Sequence, residues 1–134
     1  MDLAKYRALF LEEATEHLAE MSRACLALEK DPADGSAIDL AFRMAHSIKG
    51  MAASLDYESV TQVAHRLEDR MAVWRAQGRV DVPTGMRLLF RGLEGLERMV
   101  AALRATGESP AADGALLAEL GAASAPEGGG GKKA

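Results

Sequence analysis

Apolar residues recur at helical spacing along most of the chain. In the first segment, residues 2–29, the apolar side chains that share one helical face are Leu3, Tyr6, Phe10, Ala14, Met21, Cys25 and Leu28. The same period returns in three further segments, at about 36–54, 57–77 and 83–105. No alternating pattern typical of a strand competes with it. The pattern therefore predicts four long amphipathic helices.

Residues that break or cap helices separate the four segments. Pro32 and Gly35 interrupt the pattern after the first helix. Asp56 is a candidate N-cap for the third helix, Gly78 ends it, and Pro83 suits the first turn of the fourth. The fourth helix also contains three glycines, so packing against other helices must hold it together: Gly85, Gly92 and Gly95. Short connections favour an all-α, up-down-up-down antiparallel four-helix bundle over residues 1–105.

The C-terminal part of the chain differs in composition from the bundle. The sequence TGESP at 106–110 breaks the helical pattern, and ALLAEL is compatible with a short fifth helix at about 112–122. We therefore assign residues 106–123 to a break followed by a possible fifth helix. Residues 124–134 have the glycine-rich composition of a flexible linker.

The overall composition limits the classes of protein that remain. The chain has 134 residues, 49% of them hydrophobic, and a net charge of −4, which argues against a nucleic-acid surface. No run of about 18 apolar residues is present, so we expect no insertion into a membrane. Cys25 is the only cysteine, and the N-terminus carries acids where a signal peptide would be apolar. We expect a cytoplasmic protein with Cys25 buried, and a monomer when isolated, because the bundle can bury its own core.

His46 is predicted to point away from the core. At 100° per residue, the second helix has a narrow inward stripe, formed by Ala41, Met44, Ala45, Ile48 and Ala52. His46 lies about 140° from the centre of that stripe, and Lys49, three residues later, about 80° from it. Gly50 is beside His46 on the outer surface and leaves open space next to the imidazole.

The third helix repeats this arrangement. Its inward stripe consists of Val60, Val63, Ala64, Leu67, Met71 and Trp74. His65 lies about 140° from the centre of the stripe and Glu68 about 80° from it. If the two helices are antiparallel neighbours, Glu68 can reach toward His46. An exposed imidazole with a carboxylate on one ring nitrogen suits nucleophilic attack on phosphorus, and a nearby ammonium can offset phosphoryl charge.

Spacing alone leaves other interpretations open. The same residues could form a solvated polar face of a structural or adaptor bundle. They could also form a metal site from His46, His65 and Glu68, although di-iron bundles use inward Glu-x-x-His motifs and the lone Cys25 supplies no zinc set.

A longer motif around His46 distinguishes these alternatives. The sequence FRMAHSIKG, followed by LDY and then HRLED, resembles the histidine-containing phosphotransfer domain at the N-terminus of CheA-type chemotaxis histidine kinases. The family pattern is roughly F-R-x-A-H-[ST]-[IL]-K-G, with a His-x-x-Glu pair one helix later. The opening YRALFLEEATEHLAEM also resembles the first helix of that family, and the likeness spans about residues 1–105. Met51 departs from the pattern, because many members have a second glycine there.

The resemblance implies a mechanism and a set of partners. His46 would accept the γ-phosphoryl group of ATP and pass it to an aspartate of a response-regulator receiver. The ATP and Mg²⁺ would be held by a separate kinase domain, acting in trans within a dimeric kinase, and this domain would bind no cofactor of its own. Nothing in the sequence resembles a glycine-rich ATP lid or a phosphate-binding loop, so the domain is expected to be a phosphoryl carrier. A free-standing relay protein of the same class remains an alternative.

The resemblance also implies roles for individual residues. Glu68 would be hydrogen-bonded to Nδ1 of His46, with Nε2 phosphorylated, and Lys49 would lie near the phosphoryl oxygens. His65 would be a secondary member of the network. The residues expected at the docking surface are Phe42, Arg43 and Gly50.

Four further side chains have simpler interpretations. We expect His17 to be a partly buried structural histidine and Trp74, like the methionines, to belong to the core. Asp69 and Arg70 are expected on a solvated face. For Arg43, pairing with a carboxylate is as reasonable as docking.

Overall fold

The computed structural model describes residues 2–124, which fold into five helices and contain no strand. The helices are α1 (Leu3–Lys30), α2 (Gly35–Ser54), α3 (Glu58–Gln77), α4 (Thr84–Thr106) and α5 (Gly114–Ser124). The all-α prediction and the fifth helix are both confirmed. The predicted glycine-rich linker lies almost entirely outside the described residues.

The first four helices form a closed antiparallel bundle. Helix α1 packs against α2 and α4, and α3 packs against the same two helices, so each helix has two neighbours. The connections between consecutive helices are short, which gives the predicted up-down-up-down order. The centre is filled by fully buried side chains from all four helices, among them Leu28, Ile38, Ile48, Leu67, Met71, Trp74, Leu89, Leu96 and Leu103.

Helix α5 covers the outer side of α3 and α4. Its residues Leu116 and Leu120 are buried, and Arg66 of α3 donates a hydrogen bond to the Leu117 carbonyl. The preceding segment is held as well, because the Ser59 hydroxyl donates to the Pro110 carbonyl at 2.7 Å. The predicted boundary at residue 105 remains a prediction, but these contacts attach residues 110–120 to the bundle.

Helix ends follow the expected chemistry at most positions. The Asp34 carboxylate accepts a hydrogen bond from the Ala37 N–H at the start of α2, and Gly78 ends α3 with a left-handed φ of 80°. The prediction for Asp56 is wrong. Asp56 itself has a positive φ of 61°, so it lies in the turn, and α3 begins one residue after Tyr57 with no side-chain cap.

The first turns of α1 extend beyond the bundle. Leu3 and Tyr6 were predicted on the inward stripe, but both are exposed. The reason is helix length: α1 has 28 residues and α2 has 20, a difference of about 12 Å along the axis. The rest of the predicted stripe, from Phe10 to Leu28, is buried as expected.

The glycines of α4 allow other helices to approach closely. A Cβ added at Gly92 would lie 2.5 Å from a methyl group of Leu67 on α3, and one added at Gly85 would lie 2.9 Å from the Trp74 ring. A Cβ at Gly95 would collide with Leu116 of α5. The expectation that packing holds this glycine-rich helix together is therefore confirmed.

Arg70 is buried, contrary to the prediction of a solvated face. It follows Leu67 by three residues and precedes Trp74 by four, so it falls on the buried side of α3. Its exposed fraction is 2%, and its guanidinium carbon lies 5.7 Å from the centroid of the Trp74 ring. Asp69 is exposed as predicted, His17 is partly buried, and Trp74 and Cys25 are fully buried.

Candidate functional site: an exposed histidine paired across two helices

The outer face of α2 carries His46, as its helical position predicts. The apolar positions around it in the sequence, Ala41, Ala45, Ile48 and Ala52, are all fully buried against the other helices. The His46 side chain is 63% exposed. Packing of the opposite face of α2 therefore fixes the backbone beneath an accessible imidazole.

The neighbouring helix supplies a carboxylate to that imidazole. Oε2 of Glu68 on α3 lies 2.5 Å from Nδ1 of His46, and only 12% of the Glu68 side chain is exposed. A carboxylate in this place accepts a hydrogen bond from the Nδ1–H group, which selects the tautomer whose free lone pair is on Nε2. The arrangement thus gives His46 a nucleophilic nitrogen on an exposed ring.

Lys49 completes a three-residue cluster. Its Nζ lies 2.6 Å from the second oxygen, Oε1, of Glu68, and the lysine side chain is itself largely buried. Lys49 and His46 are one helical turn apart on α2, so both can reach the same carboxylate on α3. Each oxygen of Glu68 is therefore occupied by a different donor from the facing helix.

These two donors control the charge on Glu68. Partial burial acts to raise the pKa of the carboxyl, but the hydrogen bonds from Lys49 and His46, with their charges, outweigh it. The pKa of Glu68 is consequently held below its ordinary value of 4.5. The Glu68 carboxyl group is therefore ionised at neutral pH and places a negative charge beside the imidazole.

A second set of side chains lies beside His46 toward the start of α2. The Phe42 ring is stacked with the His46 ring at an interplanar angle of 15°, with 6.4 Å between the centroids. The Arg75 guanidinium of α3 lies 3.8 Å from the centroid of Phe42. Asp39 accepts hydrogen bonds from Arg75 at 3.2 Å and from Arg43 at 3.0 Å.

Sequence reasoning missed Arg75 and Asp39. The spacing of Asp39 and Arg43, four residues apart on one helix, is a readable signal for their ion pair. No comparable signal exists for Arg75, because its contact with Phe42 joins two helices. The predicted role of Phe42 and Arg43 in docking remains a prediction. The alternative interpretation of Arg43, that it pairs with a carboxylate, is confirmed by its contact with Asp39.

The side of His46 toward the end of α2 is open. A Cβ built on Gly50 would have no neighbouring atom within 4 Å. Gly50 is exposed, and it follows His46 by one helical turn. The imidazole is therefore bordered by an aromatic ring on one side and by free space on the other.

His65 lies apart from the cluster. Its Nε2 is 3.6 Å from the Asp69 carboxylate on the same helix, and both side chains are mostly exposed. Among residues 2–124 Asp69 is its only polar partner. His65 therefore shares the outer surface of α3 with Glu68 but is not hydrogen-bonded to His46.

The described part of the chain offers neither a metal cluster nor a membrane span. Among residues 2–124, no group of three or more histidine, cysteine, aspartate or glutamate side chains is arranged to hold a metal ion. None of the helices in that range is both long and apolar enough to cross a lipid bilayer.

Comparison with known protein families assigns this chain to one of them. The model of the family described as "Hpt domain" matches residues 5–106, which include all of α1 to α4 but the first two residues of α1. The chain belongs to the Hpt domain family. The matched range contains the whole His46–Glu68–Lys49 cluster.

Curated relatives of this Hpt domain are chemotaxis proteins. It is 35% identical over 104 residues to the chemotaxis protein CheA of Halobacterium salinarum and 36% identical over 104 residues to CheA of Bacillus subtilis. In both comparisons the match covers 77% of this chain and 15% of the relative. The chain therefore spans about one seventh of the length of these relatives.

Two solved structures share the fold. The CheA phosphotransferase domain from Thermotoga maritima superposes with a TM-score of 0.70 at 29% identity, covering 77% of this chain and 97% of that one. The phosphorylated P1 domain of CheA3, solved in complex with CheY6 from R. sphaeroides, gives a TM-score of 0.81 at 24% identity, over 89% and 94% of the two chains. The helical bundle described above is thus the fold of a CheA phosphotransfer domain.

Proposed function

We propose that this Hpt domain is the phosphotransfer domain of a chemotaxis-type histidine kinase and that His46 carries the phosphoryl group. The observation that supports this most directly is the pairing of Nδ1 with Glu68 on an imidazole that is 63% exposed. A hydrogen-bonded Nδ1 and an accessible Nε2 are what an attacking imidazole needs. The family membership and the CheA relatives support the same assignment.

In the first step, Nε2 of His46 attacks the γ-phosphorus of ATP. The Nε2–P bond forms as the bond from that phosphorus to the bridging oxygen breaks, and ADP leaves. The ring keeps its proton on Nδ1 and becomes positively charged, and the Glu68 anion stabilises that charge. ATP and Mg²⁺ are supplied by a separate kinase domain, which we propose acts from the partner chain of a dimer.

In the second step, the phosphoryl group leaves to an aspartate of a response-regulator receiver. The carboxylate attacks phosphorus, the Nε2–P bond breaks, and neutral His46 is restored with its proton still on Nδ1. The complex of a phosphorylated P1 domain with CheY6 supports a receiver as the partner. Because two proteins must reach the same nitrogen in turn, the exposure of His46 is part of the mechanism.

Lys49 has a supporting role in this proposal. Its ammonium group is held by Glu68 rather than pointing freely into solvent, so it keeps Glu68 ionised and in place. Its position one turn from His46 also leaves it close enough to offset negative charge on an arriving phosphoryl group. His65 serves neither purpose in the described arrangement, and its predicted role in the network remains a prediction.

Labelling with radioactive ATP and a CheA kinase core tests the proposal. We expect acid-labile, base-stable label on the unaltered chain and on the His65→Gln variant, and none on His46→Gln. Phosphoramidate, a small donor that needs no kinase, should give the same result in a parallel experiment. Label that persists on His46→Gln would show that another residue is the acceptor.

A further inference from the structure

The hydrogen bond that His46 donates to Glu68 does not by itself fix the imidazole ring. It restrains the distance from Nδ1 to one carboxylate oxygen, and a single distance does not set both side-chain torsion angles of His46. An imidazole that is 63% exposed has little packing to restrict those angles. A second contact is therefore needed if Nε2 is to point in one direction.

Phe42 provides that second contact. It precedes His46 by four residues, so the two rings are neighbours on the same helical face. Their planes differ by only 15°, and the centroid separation of 6.4 Å is within the range of offset aromatic stacking. Phe42 also packs against the hydrophobic core, which limits its own movement.

Arg75 holds Phe42 from the neighbouring helix. Its guanidinium carbon lies 3.8 Å from the centroid of the Phe42 ring, which is a close cation–π contact. Asp39 in turn accepts a hydrogen bond from Arg75, so the guanidinium is fixed at two points. Asp39 therefore contacts Arg75, Arg75 contacts Phe42, and Phe42 stacks on His46.

The other side of the imidazole has no such support. Gly50, one turn after His46, presents free space where any other residue would have a Cβ. An aromatic ring on one side and a gap on the other make the surroundings of His46 asymmetric. A phosphoryl donor or acceptor then has an open approach past Gly50 and a closed one past Phe42.

We propose that Phe42 and Arg75 are positioning residues that set the plane of the His46 imidazole and direct its phosphoryl partners to the Gly50 side. Both residues act through the His46 ring, Phe42 by direct stacking and Arg75 by holding Phe42. The consequence for phosphoryl transfer rests on the proposed function, whereas the orientation of the ring can be measured without any phosphorylation.

Nuclear magnetic resonance of the full 134-residue chain tests the orientation. We expect side-chain couplings to show a single His46 rotamer in the unaltered chain and in Phe42→Tyr, which keeps the aromatic ring. Phe42→Leu and Arg75→Met should each show averaged rotamers. Arg23→Met is a matched control, because Arg23 is an exposed arginine that pairs with Glu20. A single unchanged rotamer in both Phe42→Leu and Arg75→Met would overturn the proposal.

The rate of phosphorylation by phosphoramidate tests the consequence. We expect Phe42→Leu and Arg75→Met to react about three- to tenfold more slowly, as the loss of one aromatic contact implies, and Phe42→Tyr and Arg23→Met to react at the original rate. An unfolding curve for each variant shows that the comparison is made on folded protein, and Arg75→Met removes no buried side chain. Unchanged rates in Phe42→Leu and Arg75→Met would overturn the directing role. If the unaltered chain takes up no phosphate while the rotamers respond as expected, the proposed function fails and the positioning role stands.

Discussion

At the level of single residues, the chemistry of the site depends on which imidazole nitrogen of His46 carries the proton. Glu68 accepts from Nδ1 at 2.5 Å, which leaves Nε2 as the nucleophile. Lys49 binds the other oxygen of the same carboxylate, and together the two donors lower the pKa of Glu68 despite its burial. The anion that orients the ring is therefore also the one that stabilises its positive charge after phosphorylation.

Replacing Glu68 by glutamine should separate these two contributions. The amide oxygen of the new side chain can still accept a hydrogen bond from Nδ1, but the negative charge is lost. A hydrogen bond to a charged group is stronger than one between neutral groups by about 1 kcal/mol. We expect the Glu68→Gln variant to be phosphorylated about five- to tenfold more slowly by a kinase core, with its fold unchanged. Asp69→Asn is the matched control, because Asp69 is the next residue on α3 and is exposed. Equal rates for Glu68→Gln and the unaltered chain would contradict the role of the Glu68 charge in stabilising the positively charged ring.

The sequence could predict part of this site and not the rest. Helical angles place His46 outward and Glu68 toward the seam, so their meeting follows once α2 and α3 are antiparallel neighbours. The stacking of Arg75 on Phe42 could not be predicted, because it depends on the rotamers that two long side chains adopt across a helix pair. The burial of Arg70 was missed for a related reason: its charge suggested solvent, while its position relative to Trp74 placed it inside.

At the level of the helices, the hydrophobic period predicted the four helices of the bundle, and their predicted ends agree with the structure to within one residue. The sequence shows that the glycines of α4 weaken the helix, but the hydrophobic period does not show which side chains pack against them. Gly92 faces Leu67 of α3, the residue immediately before Glu68. Close packing at this point therefore determines how α3 sits on α4 directly behind the site.

Two glycine-to-alanine variants should change stability in opposite directions. A Cβ at Gly92 would meet three atoms of Leu67 between 2.5 and 2.8 Å, and Leu67 is itself buried, so core side chains must shift to accommodate the methyl group. We expect Gly92→Ala to lower the free energy of unfolding by about 1–3 kcal/mol. A Cβ at Gly50 meets nothing within 4 Å, so Gly50→Ala should raise the free energy of unfolding by about 0.5–1 kcal/mol, because alanine favours the helix more than glycine does. Urea unfolding curves measure both values. A stabilised Gly92→Ala variant would show that α3 and α4 are not in the described contact.

At the level of the whole molecule, the buried residues of α1 to α4 and the two leucines of α5 form one continuous core. The sequence showed α5 only as a possible helix after a break, because nothing in its pattern indicates that Leu116 fits over Gly95. Cys25 lies fully buried in this core. Burial raises the pKa of its thiol to about 12, and the charges of Glu97 and Glu29 act in the same direction.

The shifted pKa of Cys25 predicts a loss of stability at high pH. The thiol stays neutral in the folded chain up to about pH 12 but ionises above about pH 8.5 once the chain unfolds. The unfolded state then binds fewer protons, so the free energy of unfolding falls as pH rises, by up to about 1.4 kcal/mol per pH unit from this group.

Comparison with a variant that lacks the thiol measures this contribution. We expect the difference in unfolding free energy between the unaltered chain and Cys25→Ala to be constant below about pH 8 and to shrink between about pH 9 and pH 11. Other titrating groups are common to both proteins and cancel. Parallel stability curves across this range would mean that Cys25 is not buried as described.

The central claim is that Nε2 of His46 carries the phosphoryl group while Nδ1 stays bound to Glu68. Phosphorus–nitrogen scalar coupling, measured in the chain with isotope-labelled histidines after phosphorylation, identifies the bonded atom directly. We expect a single coupling, to Nε2 of His46, with the proton retained on Nδ1. Coupling to Nδ1 of His46, or to a nitrogen of His65 or His17, would contradict the account.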